Sequence, residues 1–230
     1  MWIDVHVQTE KTPGGRGLED LVLAARESGL DGLALTDVGS IPDFEEMAAV
    51  SSATGVRLFA GIKLPTESGV WLAYPPGHEQ AGDLEFTSEE GGLYPLSAVE
   101  SLVRSGWALI LSQPFGESGP GEGIYSMKGF HGVEVTNGSN GLCGKDLSLE
   151  AALALNLAVL GGSGVLENLD VLGRVGTAFV PDVKTQRDFH DALVSGSVML
   201  AEKGKRDIEE FEEKSPRKRK PRRRKPRTEK

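Results

Sequence analysis

Apolar residues in the first 200 positions fall into two kinds of segment that alternate along the chain. Short runs rich in β-branched and aromatic residues are typical of buried strands, and longer stretches with apolar residues every three or four positions are typical of amphipathic helices. Strands are predicted at residues 2–7, 32–36, 56–60, 70–74, 108–111, 132–136, 158–161 and 198–201. Helices are predicted at residues 18–28, 42–53, 97–105, 149–156 and 185–195. The alternation predicts consecutive βα units.

Glycines mark the ends of most of these helices. Gly29, Gly55, Gly106 and Gly196 stand where a helix is expected to stop, a position at which a left-handed residue is favoured. Two glycine-rich stretches, residues 75–95 and 113–130, fit neither pattern and are expected to be loops. A run of βα units forms either an open doubly wound sheet or a closed barrel. Both architectures place functional groups at the carboxyl ends of the strands.

Composition excludes several classes of protein. With 39% hydrophobic and 26% charged residues, the 230-residue chain is expected to form one globular domain. No apolar run approaches the length needed to span a membrane, and the single cysteine, Cys143, excludes an intramolecular disulfide. These features favour a cytoplasmic location. Residues 7–15, after the first strand, contain no phosphate-binding glycine motif, which argues against nucleotide binding of that type.

Charge is distributed very unevenly. The last 17 residues contain 11 Lys or Arg and one acidic residue and carry +10, whereas the preceding 213 carry −19, for a net charge of −9. Three parts are therefore expected: an α/β domain over residues 1–201, an acidic and helical segment over 202–213, and a disordered basic tail over 214–230. Prolines within the tail prevent it from continuing a helix.

Polar residues cluster at the predicted carboxyl ends of the strands. They comprise a histidine, two carboxylates, three amides and a lysine, which together could form one pocket. These residues are His6, Gln8, Asp37, Lys63, Gln113, Glu134 and Asn137.

Six segments around these residues occur in a characteristic order. They cover residues 3–9, 30–38, 60–63, 111–114, 132–138 and 161–166. Their order and spacing resemble the D-x-H-x-H-T, T-D-H, G-x-E, H-P, G-x-E-x-x-N and G-S-D-x-H segments of the PHP (polymerase and histidinol phosphatase) domain family. The resemblance extends over most of residues 1–200. It implies a distorted, TIM-like (β/α)7 barrel in which the strand ends hold two or three divalent metals for phosphoester hydrolysis.

The chain departs from this pattern where the family has metal ligands. These positions hold residues that are poor ligands for hard metals, namely Gln8, Val38, Lys63, Gln113, Gly164 and Leu166. Only His6 and Asp37 remain of the usual set, and the ammonium of Lys63 would repel a dication. We therefore expect no cofactor and a catalytically inactive protein. The alternative is a divergent metal-dependent phosphoesterase in which His6, Asp37 and Glu134 hold one ion.

Two interpretations of the remaining cluster stay open. In the first, the pocket binds an anion through Lys63, with hydrogen bonds from His6, Gln113 and Asn137. In the second, the site has decayed and its residues satisfy one another, with His6 and Asp37 forming a buried pair.

The basic tail carries a separate functional prediction. An extended cationic arm is typical of segments that track a phosphate backbone, and the absence of aromatic residues limits it to phosphate contacts. The chain is accordingly expected to bind RNA or DNA through Arg217, Lys218, Arg219, Lys220, Arg222, Arg223, Arg224, Lys225 and Arg227. A third hypothesis is a regulatory scaffold whose barrel binds a protein partner.

Overall fold

The computed structural model describes residues 1–81, 86–89, 91–138, 144–180 and 182–203. The strands are β1 (Trp2–Val7), β2 (Gly32–Leu35), β3 (Arg57–Ala60), β4 (Ile62–Thr66), β5 (Gly69–Tyr74), β6 (Ala108–Ser112), β7 (Gly132–Asn137), β8 (Ala158–Gly162), β9 (Val175–Phe179) and β10 (Val198–Glu202). The α-helices are α1 (Leu18–Ser28), α2 (Phe44–Thr54), α3 (His78–Ala81), α4 (Leu96–Arg104), α5 (Lys145–Ala154) and α6 (Gln186–Val194). Short 3₁₀ helices occupy Gly121–Ser126 and Leu169–Val171.

The strands form two five-stranded sheets. The first has the order β10-β9-β1-β2-β3, in which β1, β2 and β3 are parallel while β9 and β10 run antiparallel to their neighbours. The second has the order β4-β5-β6-β7-β8, with antiparallel pairing from β4 to β6 and parallel pairing from β6 to β8. The mixed α/β class follows the sequence prediction.

The predicted closed TIM-like barrel is not present in the described residues. Only Gly61 separates β3 from β4, and β4 then pairs with β5 as a hairpin. A hairpin connects antiparallel strands, so it interrupts the series of parallel crossovers that a (β/α)7 barrel requires. The two sheets are joined by isolated β-bridges at Val38–Lys63 and Val7–Val165, and not by a continuous ladder of hydrogen bonds.

An aromatic cluster anchors one part of the core. The buried Phe189 of α6 stacks on Phe59 and Phe179 with ring centroids 4.4 and 5.2 Å apart, and it meets Tyr74 edge-on. Tyr74 is itself fully buried and its hydroxyl donates to the carbonyl of Val5 at 2.5 Å. These contacts fix α6 against β3, β5 and β9.

The helices end largely where the sequence predicted, with two shifts at their starts. Gly29, Gly55, Gly106 and Gly196 all have positive φ, as expected of left-handed residues that follow a helix. Helix α2 begins at Phe44 because the Asp43 side chain accepts from two amides of the first turn. Helix α5 begins four residues earlier than predicted, at Lys145. None of the described helices is both long and apolar enough to cross a membrane.

Candidate functional site

An open cavity of about 920 Å³ lies at the carboxyl ends of the strands. Its walls come from the ends of β1, β6 and β7, from β4, and from the loops that follow β6 and β8. Five of the seven polar residues predicted at the strand ends line it, namely His6, Gln8, Lys63, Gln113 and Asn137. The sixth and seventh, Glu134 and Asp37, are fully buried behind them.

Glu134 is the centre of the buried hydrogen-bond network. Its carboxylate lies 3.0 and 3.1 Å from His6 Nδ1 and accepts a short hydrogen bond from Ser112 Oγ. Asn137 Nδ2 lies 3.5 Å from Glu134 Oε1 and 3.2 Å from His6 Nδ1. Burial by itself would raise the pKa of Glu134, but attraction to His6, the hydrogen bonds of His6 and Ser112, and Lys63 hold it below its ordinary value.

His6 therefore has one engaged ring nitrogen and one that is not. Its side chain is buried, with 2% of the residue exposed, yet the residue lines the cavity. Nε2 has no hydrogen-bond partner among the described residues. A buried polar atom without a partner is uncommon in folded proteins.

Asp37 is engaged away from His6. Its two carboxylate oxygens accept hydrogen bonds from the Thr9 amide, the Thr9 hydroxyl and the Thr12 hydroxyl at 2.7–2.8 Å. The predicted His6–Asp37 pair is therefore wrong, since His6 is paired with Glu134. The carboxylate of Asp37 instead fixes the loop that follows β1.

Lys63 places an ammonium at the cavity wall. The residue is partly buried, and its Nζ has one hydrogen-bond partner among the described residues, Gln8 Oε1 at 3.4 Å. No carboxylate of those residues lies within 4.0 Å of this ammonium. Burial lowers the pKa of Lys63, and the charge of Glu134 opposes that shift. Glu117 and Glu167 also line the cavity, but both are exposed to solvent.

Asp4 is a buried acid that the sequence did not single out. Its Oδ1 accepts from the amides of His6 and Ser163 at 3.1 and 2.9 Å, while Oδ2 has no partner among the described residues. Burial raises the pKa of Asp4 to about 7, against the lowering effect of the hydrogen bonds from Ser163 and His6. A carboxyl group that titrates near neutrality thus lies directly behind the cavity.

The residues present do not fit a cluster of divalent metals. Of the six substituted ligand positions, five line the cavity and present two amides, an ammonium, a glycine and a leucine: Gln8, Lys63, Gln113, Gly164 and Leu166. The buried carboxylates at the site, Asp4, Asp37 and Glu134, already accept two or more hydrogen bonds each. No group of three His, Cys, Asp or Glu side chains suited to a metal occurs in the described part of the chain.

Other predicted features lie outside the described residues. These include Cys143, most of the acidic segment, and the whole basic tail with its nine candidate nucleic-acid contacts. Within the site, sequence reasoning missed Ser112 and Thr12. It gave no role to Asp4 and Thr9, although both belong to the segment that resembles D-x-H-x-H-T. Nothing in the pattern marked Thr12.

Comparison with known proteins identifies the fold. No protein-family model and no curated protein sequence matches this chain. Solved structures do match, among them PsfC from Pseudomonas syringae PB-5123, with a TM-score of 0.67 and 15% identity over 92% of this chain and 96% of PsfC.

Two further solved structures share this fold. A two-domain protein from Bacteroides vulgatus that contains a predicted PHP-like metal-dependent phosphoesterase matches with a TM-score of 0.66 and 16% identity, over 93% of this chain and 69% of that one. An amidohydrolase from Chromobacterium violaceum, solved with sulfate and no metal, matches with a TM-score of 0.60 and 14% identity over 89% and 99% of the two chains. The chain thus has the fold of the PHP-like metal-dependent phosphoesterases.

Proposed function

We propose that this protein binds a small oxyanion in its strand-end cavity without a divalent metal, and that it is inactive as a PHP-type phosphoesterase. The observation that carries the proposal is the Lys63 ammonium at the cavity wall, whose one hydrogen-bond partner in the described part of the chain is the neutral amide of Gln8. Burying part of an ammonium that has no carboxylate of the described residues within 4.0 Å is costly, and a bound anion would offset that cost.

The substitution pattern supports the same conclusion. On this fold the metals would bind both the phosphoester and the attacking water, which requires several anionic or imidazole ligands. Here those ligands are replaced by amides and by Lys63, which supplies positive charge of its own. The sulfate in the metal-free amidohydrolase structure is consistent with oxyanions binding to this fold.

Calorimetric titration of the full-length protein with inorganic phosphate and with sulfate tests the proposal. We expect at least one of the two anions to bind with one-to-one stoichiometry, and the affinity to be the same before and after treatment with a chelator. If neither phosphate nor sulfate binds, the proposal is refuted.

Measurements on the same preparation distinguish anion binding from the alternative, a divergent metal-dependent phosphoesterase, with which the structural neighbours are compatible. That alternative predicts stoichiometric divalent metal by elemental analysis, and hydrolysis of 4-nitrophenyl phosphate that is lost in the His6→Ala variant. Metal at one equivalent together with chelator-sensitive hydrolysis would replace the anion-binding proposal.

We also propose that residues 214–230 bind RNA, because their charge of +10 is separated in sequence from an acidic body. Each phosphate neutralised by Lys or Arg releases counterions, so affinity falls steeply as salt rises. Residues 1–213 carry a net negative charge and would repel phosphates. Residues 214–230 should therefore account for RNA binding.

Binding of a labelled unstructured RNA across a salt series tests this second proposal. The logarithm of affinity is expected to fall against the logarithm of salt concentration with a slope as steep as about −6 for nine contacts on a single strand. Replacing the nine basic residues from Arg217 to Arg227 by glutamine should abolish binding. As a control, replacing Arg16, Arg26 and Lys128 by glutamine should leave it unchanged, and equal binding by both variants would contradict the proposal.

A further inference from the structure

The cavity is much larger than a lone oxyanion requires. Its volume is about 920 Å³, and cavities of about 300–1,000 Å³ are typical of sites that bind organic molecules. A single phosphate or sulfate ion would fill a small part of this space. The walls beyond Lys63 therefore indicate what else a ligand of this cavity carries.

Part of the cavity wall is apolar. Val70, Phe115 and Leu166 line the cavity and are each partly exposed. They come from three separate parts of the fold: strand β5, the loop after β6 and the loop after β8. Apolar surface that contacts water gains free energy when a ligand covers it. The cavity thus offers apolar contacts as well as a positive charge.

Val70 belongs to the same face of the sheet as the cation. In the ladder of β4 and β5, Lys63 is paired with Leu72, and Val70 lies two residues from Leu72 on the same face. Diagonal neighbours of this kind lie about 7–8 Å apart across antiparallel strands. An apolar group attached directly to an oxyanion at Lys63 is therefore within reach of Val70.

The backbone next to Leu166 is held by the end of β1. Val165 forms an isolated β-bridge with Val7, and its carbonyl accepts from the Gln8 amide at 3.2 Å. Leu166 follows directly, at a position where the PHP pattern has a histidine. A leucine side chain has no hydrogen-bond donor or acceptor. Its contribution to ligand binding can therefore only be an apolar contact.

Two carboxylates restrict the charge of the ligand. Glu117 and Glu167 line the same cavity and are exposed to solvent. Their charges would repel a second anionic group. A ligand with its negative charge at one end and an uncharged group at the other therefore suits the cavity better than a molecule with two anionic groups.

We propose that the cavity binds an organic oxyanion whose charged head group contacts Lys63 and whose apolar group packs against Val70, Phe115 and Leu166. The inference rests on the proposed anion site. It adds the class of ligand, an anion with one apolar end, and it assigns the discrimination among such ligands to the three apolar residues.

Three phosphonates test the inference, since a phosphoesterase does not cleave their P–C bond. Methylphosphonate and phenylphosphonate share the head group and differ in the size of the apolar group, whereas 2-hydroxyethylphosphonate carries a polar group. Each is titrated calorimetrically into the full-length protein at the same pH and ionic strength. We expect phenylphosphonate to bind about 10-fold or more tightly than either of the other two.

Substitutions in the apolar wall should reduce this preference. Leu166→Asn keeps the approximate size of the side chain and makes it polar, and the preference for phenylphosphonate over methylphosphonate should fall about threefold or more. Val70→Thr, which keeps the shape of the side chain, is a second variant with the same expected direction. Leu153→Asn is the matched control, because Leu153 is 67% exposed on α5 and does not line the cavity.

The outcomes separate this inference from the proposed function. If the unaltered protein binds the three phosphonates equally, the anion site stands and the inference is overturned. If it binds none of them, and neither phosphate nor sulfate, both are overturned. A preference for phenylphosphonate that persists unchanged in both Leu166→Asn and Val70→Thr would show that the apolar wall does not select the ligand.

Discussion

Replacing Lys63 by methionine is expected to weaken oxyanion binding about 100-fold. The substitution keeps an unbranched side chain one atom shorter and removes the ammonium, the positive charge at the cavity wall beside Gln8. Truncation of a largely desolvated charge that contacts an opposite charge typically costs about 2–5 kcal/mol of binding free energy. Calorimetric titration with phosphate measures the loss directly.

Lys184 provides the matched control for this prediction. Its ammonium lies 3.5 Å from the Asp182 carboxylate and its side chain is 70% exposed. The Lys184→Met variant should bind phosphate as tightly as the unaltered protein. If Lys63→Met retained full affinity, the anion would have to bind elsewhere, and the function proposed for the cavity would be abandoned.

The second large effect is expected from Asp4, as a change of stability with pH. The pKa of this buried carboxyl is raised to about 7 in the folded protein, whereas an aspartate in an unfolded chain titrates near 3.9. Below about pH 4 both states are protonated and the group contributes no difference. As pH rises from about 4 to 7 the unfolded chain loses the proton first, so the free energy of unfolding falls. The total loss from this group is about 4 kcal/mol.

The Asp4→Asn variant should lack this decline. The amide retains an oxygen for the amides of His6 and Ser163, so the variant and the unaltered protein should be similarly stable near pH 4. Near pH 8 the variant should be more stable by up to about 4 kcal/mol, measured by urea denaturation at each pH. Asp146→Asn, at an exposed position, is the control. Parallel stability curves for Asp4→Asn and the unaltered protein would contradict the prediction.

Local sequence patterns predicted the elements better than their assembly. The alternation of apolar runs located the main strands, and glycines located the helix ends, because both depend on residues close together in sequence. The hairpin of β4 and β5 was missed because the predicted strand ended at residue 60 and no separate strand was assigned to residues 62–66, which follow after a single glycine. That hairpin is the reason that the parallel barrel does not form.

The candidate site shows the same division between local and long-range information. Strand ends identified the polar cluster, since consecutive parallel strands bring their carboxyl ends together. The partner of His6 was assigned wrongly because Asp37 and Glu134 are equally plausible from spacing alone. In the structure the hydroxyl groups of Thr9 and Thr12 donate hydrogen bonds to the Asp37 carboxylate, and Glu134 is the carboxylate that pairs with His6.

The joint between the two sheets has a mechanical consequence. The main chain of Lys63 in the second sheet donates to the carbonyl of Asp37 and accepts from the amide of Gly39, both at 3.0 Å, in the segment that follows β2 of the first sheet. These two hydrogen bonds hold the backbone of Lys63 at the contact between the sheets. A displacement of one sheet against the other would therefore move the Lys63 ammonium as well. Affinity for the anion and stiffness of the joint are therefore thermodynamically linked. A distant substitution that loosens the joint should weaken binding without altering a single ligand contact, and a bound anion should tighten the joint in return.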